Sequence, residues 1–163
     1  AVIADFFNSK NIGNYFIELG GEIKVKGLNQ DKKPWNIGID KPKKNKKNER
    51  IIHKILSVSN KSIATSGNYR KYYIKNGKKY SHTISPFTGK PVQHNLLSAT
   101  VISNKCSMAD AYATAFMVMG LKETKKFIRT NQKDTLDVYL IYENDQGQLN
   151  EYYSKGMMKY LNK

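Results

Sequence analysis

Two residues four apart, Asp110 and Thr114, carry the most suggestive chemistry in this sequence. They lie in Ser103 to Gly120, SNKCSMADAYATAFMVMG, where a polar loop runs into an apolar, helix-like segment. A spacing of four puts a carboxylate and a hydroxyl on one helix face. Hard oxygens beside the open amide groups of a helix N-terminus suit Mg²⁺ and a phosphate. Ser107 and Asp110 also make an S-x-x-D signature, which predicts a capped helix starting near Met108. Asp110 would then simply close a capping box, with Thr114 bonded back to its own helix. Caps are far commoner than metal sites, so these residues alone leave both readings open. A second cluster, His82, Ser85 and Thr88 around Pro86 and Gly89, sits in a loop beyond a hairpin, a usual place for functional side chains. A lone histidine at a strand end is equally at home as a structural residue. The single cysteine, Cys106, excludes an intrachain disulfide and any multi-cysteine metal site. A helix dipole there would lower its pKa, but no base adjoins it in sequence, and it reads as a structural thiol.

The elements that must position these groups follow from periodicity and turn residues. The opening AVIADFFNSK has helical spacing and reads as the middle of a helix, so the chain is expected to be a piece of something longer. Tyr15 to Leu19 predicts a buried strand, and Glu22 to Lys26 alternates as a half-exposed one. Gly20-Gly21 between them predicts a bulge or a backbone that a ligand approaches closely. Trp35 to Ile39 and Arg50 to Ser59 are further strands, with Trp35 in the core and His53 at a surface or hydrogen-bonded position. Ser62 to Tyr69, rich in small hydroxyl residues, suits an anion cradle or a plain turn. Asn76-Gly77 predicts a type I′ turn joining arms from Tyr72 to Tyr80. Leu96 to Ile102 is a central strand feeding the Ser107 helix. In that helix Ala111, Ala115, Phe116, Val118 and Met119 form an apolar surface too broad for exposure. A break at Gly120, a helix Lys122 to Thr130 and a last hairpin across Asn144 to Gly147 complete the order. About seven strands and two or three helices in this irregular sequence argue for an α+β fold with a largely antiparallel sheet.

At 163 residues the chain suits one domain. Its net charge of +15 raises nucleic acid as a partner, and Tyr69, Tyr72, Tyr73 and Tyr80 around the hairpin would suit base stacking. The charge is mostly lysine, however, with only Arg50, Arg70 and Arg129 as arginines, which is poorly matched to forked phosphate recognition. The densest run, Lys41 to Arg50, reads as a solvated loop.

Several motifs then stand in one order. They are Gly20-Gly-Glu22, Pro34-Trp-Asn-Ile-Gly-Ile39 with Lys41-Pro42, and Ala64-Thr-Ser-Gly-Asn-Tyr-Arg70. Tyr80-Ser-His-Thr-Ile-Ser-Pro-Phe-Thr-Gly89 and Met108-Ala-Asp-Ala-Tyr-Ala-Thr-Ala115, ending at Met119-Gly120, complete the set. Together they closely resemble the FAD:protein FMN transferases, the ApbE family once called thiamine biosynthesis lipoproteins. The resemblance covers nearly the whole chain but only the C-terminal half of the family's usual length, so residues 1–163 would be part of one T-fold-related domain. It implies Mg²⁺-dependent cleavage of FAD, with FMN passed to a threonine hydroxyl of a target flavoprotein and AMP released. It places metal ligands at Asp110 and Thr114, with a carbonyl from Ala113, and a general base at His82. Flavin and phosphate contacts would fall at Gly20, Gly21, Ser66, Gly67, Ile84 and Thr88. A periplasmic or membrane-anchored location, through a lipid anchor upstream, is also implied. Ser85 departs from the family pattern, which has an aspartate before the proline. Rival classes are a flavin hydrolase that cleaves FAD with water, and a basic nucleic-acid module whose binding would fall with salt.

Overall fold

The computed structural model describes residues 2–42, 51–69, 72–75, 78–131 and 136–161. The Asn76-Gly77 turn and Arg70, and the basic run from residue 43 to 50, lie outside the described residues. Helix α1 (Val2–Ser9) turns one small residue, Ala4, inward and leaves Val2 and Phe6 exposed. It ends at Asn11, whose positive φ of 58° lets Ile12 N–H reach the Phe7 carbonyl at 3.0 Å.

Strands β1 (Tyr15–Leu19) and β2 (Glu22–Lys26) follow as a hairpin in which Leu19 faces Glu22. Gly20 and Gly21, with φ of 69° and 107°, are therefore a two-residue turn and not a bulge. The expectation that β1 is buried is also corrected. It is an edge strand with only Tyr15 inside, while Leu19 is 69% exposed. Strands β3 (Trp35–Asp40) and β4 (Ile52–Val58) form a separate two-stranded sheet. The segment expected to be a cradle or turn is instead β5 (Ser62–Gly67). The hairpin β6 (Tyr72–Lys75) and β7 (Lys78–Ser81) pairs as its sequence predicted. Then come β8 (Leu96–Ser103), helix α2 (Cys106–Thr130), β9 (Asp137–Glu143), β10 (Leu149–Tyr153) and a 3₁₀ turn, Lys155–Tyr160.

The main sheet has six antiparallel strands in the order β1-β2-β5-β8-β9-β10. Both faces are covered, which is why β8 is buried almost throughout, at Ser98 and Thr100 as well as at its apolar residues. Period two still sorts its side chains. Ala99 and Val101, with Val138 and Leu140 of β9, pack under Ala109, Ala113, Phe116 and Met117 of α2. Ile102, Tyr139 and Ile141 point the other way, onto Ile37, Ile39, Leu56 and Val58 of β3–β4 and onto Met157. His53 Nε2 of β4 lies 2.7 Å from the Glu151 carboxylate of β10, tying the small sheet to the far edge of the large one. The α+β class and the antiparallel sheet are as the sequence indicated.

Helix α2 departs from expectation at its start. It begins at Cys106 with Lys105 as N-cap, and no side chain caps it. Asn104, just before Lys105, accepts a hydrogen bond at Oδ1 from Lys61 Nζ at 2.6 Å. Ser107 is already helical and the Ser107–Asp110 box does not form. The buried face also differs, since Ala111 and Met119 are exposed and Ala109, Ala113 and Met117 are inside. The predicted break at Gly120 is present, with φ 75° and ψ 177°. Only glycine occupies that region comfortably, and an added Cβ would lie 3.0 Å from the His94 ring. Gly120→Ala should therefore lower unfolding free energy by about 1–3 kcal/mol, read as a shifted urea midpoint at constant slope.

Candidate active site

A cleft of about 650 Å³ opens where the main sheet splays. Strand β2 pairs with β5 only at Ile23↔Ile63 and Lys24↔Ser62, so the two diverge beyond Ala64. The β1–β2 turn, with Glu18, Gly20 and Gly21, forms one lip. Asn36 to Asp40 of β3 form a wall, and Thr65, Ser66 and Gly67 of β5 form the floor. His82 and Thr83 also line it, as do Thr114 and Met117 of α2.

The floor and the helix are joined by hydroxyls. Ser66 Oγ lies 3.0 Å from Thr114 Oγ1, and Thr65 Oγ1 lies 2.8 Å from Thr100 Oγ1 on β8. Thr114 thus reaches across to the sheet and does not fold back onto its own helix. Gly67 leaves room for an aromatic wall, since a Cβ there would fall 2.7 Å from the Tyr69 ring. Tyr69 lines the cleft beside it.

Of the residues singled out from sequence, Gly20, Gly21, Ser66, Gly67, His82 and Thr114 all line this one cleft. Asp110 is exposed one turn earlier on α2, outside the lining residues. The side chain of Ala113 is buried in the core, leaving only its carbonyl as a conceivable ligand. Ile84 is 48% exposed, and the Thr88 hydroxyl accepts the Lys90 amide at 3.3 Å; neither lines the cleft. Both belong to the turn that follows His82. There Ser85 Oγ accepts the Phe87 N–H at 3.3 Å, and the Gly89 N–H reaches the Ser85 carbonyl at 2.9 Å. A hydroxyl at this position closes the turn as an aspartate would, without the negative charge.

Asn36, Asp40, Tyr69 and Thr100 line the cleft without having been singled out as site residues. Asp40 adjoins the Trp35 to Ile39 motif, and a register shift between Ile39 and Asp40 marks its place. That irregularity comes from pairing with β4 and has no local sequence signal. Cys106 is half-buried at the start of α2, and its thiol pKa is raised, not lowered. Burial is the main cause, followed by the negative charge of Glu22, with Asp110 adding to it. Iodoacetamide should therefore alkylate native Cys106 more slowly than the urea-unfolded chain at neutral pH, as followed by intact mass.

Among the described residues no three histidine, cysteine or acidic side chains converge into a metal cage. Mg²⁺ seldom uses one. It keeps several waters and takes one or two carboxylates, with substrate phosphates completing the shell. Asp110 and Thr114, a carboxylate and a hydroxyl on successive turns of α2, fit that partial set in chemistry.

The model of the ApbE family matches residues 1–140. The chain belongs to the ApbE family. It is 40% identical over 162 residues to the FAD:protein FMN transferase of Vibrio cholerae serotype O1, covering 99% of this chain and 46% of that protein. It is 39% identical to the enzyme of the same name from Haemophilus influenzae, over 89% of this chain and 40% of the relative. Among solved structures, flavin transferase ApbE from Vibrio cholerae superposes with a TM-score of 0.81 at 38% identity, covering 98% of this chain and 48% of that one. The apo form of Pseudomonas stutzeri flavinyl transferase ApbE gives 0.78 at 28% identity, over 97% and 47% of the two chains. The ApbE chain described here spans about half the length of the curated relatives it matches.

Proposed function

We propose that this chain forms part of an FAD:protein FMN transferase, one that moves FMN from FAD to a threonine hydroxyl of a target flavoprotein and releases AMP. The observation that carries this is the meeting of the His82 loop, the glycine turn and the Ser66–Thr114 bridge around one cleft. In this reaction the acceptor oxygen bonds to the phosphorus of the FMN half, and the bond to the bridging oxygen breaks. AMP departs with that oxygen. His82 takes the hydroxyl proton as the oxygen attacks, the role of a general base. Gly20 and Gly21 allow a ligand to approach the main chain closely. The Ser66 and Thr114 hydroxyls, linked to each other, fix the floor relative to α2. Mg²⁺ held by Asp110 and Thr114 would supply charge neutralisation at the pyrophosphate.

The test uses the polypeptide as its gene encodes it, with FAD, Mg²⁺ and a threonine-bearing flavoprotein subunit from the same genome. Covalent flavin on the acceptor by mass spectrometry, with AMP formed in equal amount and both lost on chelation, is the expected result. FMN and AMP without labelled protein would make it a hydrolase. No consumption of FAD would remove the flavin reading.

A further inference from the structure

Two parts of the candidate site, the His82 loop and the first half of α2, come from distant stretches of chain and must be held in register. One residue outside the cleft touches the means by which this is done. His94 ends the loop that His82 begins, and its Nε2 lies 2.7 Å from the Met117 carbonyl. A carbonyl only accepts, so Nε2 carries the proton and donates. That carbonyl belongs to the last turn before the Gly120 break, where the helix leaves carbonyls without intrahelical partners. Met117 itself lines the cleft, one turn from Thr114.

The loop is in turn closed on itself. The Val92 N–H meets the Thr83 carbonyl at 3.0 Å, and Ile84 bridges Pro91. The segment that ends in His94 is thereby laddered onto the residues that follow His82. The fit around the ring is tight as well. A Cβ at Gly120 would lie 3.0 Å from His94 Cδ2 and 3.2 Å from Cγ, so the helix break and the ring occupy one slot. Nδ1 is buried and has no hydrogen-bond partner among the described residues. That nitrogen is spared for no other contact, and the single directed bond of the ring goes to α2.

We infer that His94 is a positioning residue, a strut that sets the His82 loop against the Thr114–Met117 turn of α2 so that the general base and the phosphate-facing hydroxyl address one substrate. This rests on the transferase reading above. A 1 Å misplacement of such groups can cost on the order of a hundredfold in rate.

The variants are His94→Leu, which fills the slot without a donor, and His94→Gln, whose amide nitrogen can stand in for Nε2. Each is compared with the parent protein by single-turnover FMN transfer per folded molecule, by FAD affinity, and by amide hydrogen exchange across residues 117–121. His94→Leu should transfer at least tenfold more slowly with FAD affinity within about threefold of the parent, and should lose protection in that segment. His94→Gln should recover most of the rate and the protection. A leucine variant that transfers at the parent rate, or loses rate only in proportion to its folded fraction, overturns the inference. If the parent itself transfers no FMN, the functional reading has failed and exchange decides alone: unchanged protection in His94→Leu overturns the strut.

Discussion

Replacing His82 with alanine should slow FMN transfer by roughly a hundredfold or more, the usual scale for loss of a general base. The side chain lines the same cleft as Thr83 and as Thr114 and Met117 of α2. Flavin affinity should survive, because the glycine turn, the Ser66–Thr114 bridge and the β5 floor contain no imidazole. The turn after His82 should also survive, since Ser85 and Lys90 close it through their own main-chain groups. Single-turnover transfer and equilibrium FAD binding, measured side by side on His82→Ala, separate the two effects. If affinity collapses while the bound fraction reacts at the parent rate, His82 is a flavin contact and not the base.

The second large effect is expected at Asp110. Asp110→Ala should abolish Mg²⁺-dependent FAD cleavage with little change in stability. The structure makes this test cleaner than the sequence did. A closed capping box would have cost about 1 kcal/mol on truncation and blurred the result. Here Lys105 is the N-cap, no side chain caps α2, and Asp110 is exposed. A variant that melts earlier yet turns over normally would end the metal assignment.

How far the sequence could be read depended on whether the signal was local. Leu96–Ser103 announced itself by its largely apolar, β-prone residues, and the Tyr72–Lys75 and Lys78–Ser81 arms by the turn residues between them. Gly120 announced a break that the backbone makes. What failed was set by partners far along the chain. Tyr15–Leu19 has the composition of a buried strand, but its place at the sheet edge leaves Leu19 outside. Ser62–Gly67 looks like loop because serine, alanine and glycine surround its only two good strand formers, Ile63 and Thr65. It is a strand because β8 lies beside it, residue for residue from Ser103 to Ser98, and Thr65 finds Thr100 there. The Ser107 cap was lost because α2 begins one residue earlier, at Cys106. The site followed the same rule. Residues inside compact motifs, such as His82 and Thr114, were visible from the chain alone. Asp40 and Thr100, which lie outside those motifs, become cleft residues only when separate strands are brought together.

The parting of β2 from β5 has one more consequence. Beyond Ala64 the floor of the cleft is a strand edge, and what such an edge offers is peptide groups. Side-chain replacement leaves peptide N–H and C=O groups where they are, so recognition through them is indifferent to the identity of the residues that carry it. In the proposed site, demand for particular residue types falls on a few places: the two glycines of the turn, Gly67 against Tyr69, the hydroxyl and imidazole groups of the cleft, and Asp110.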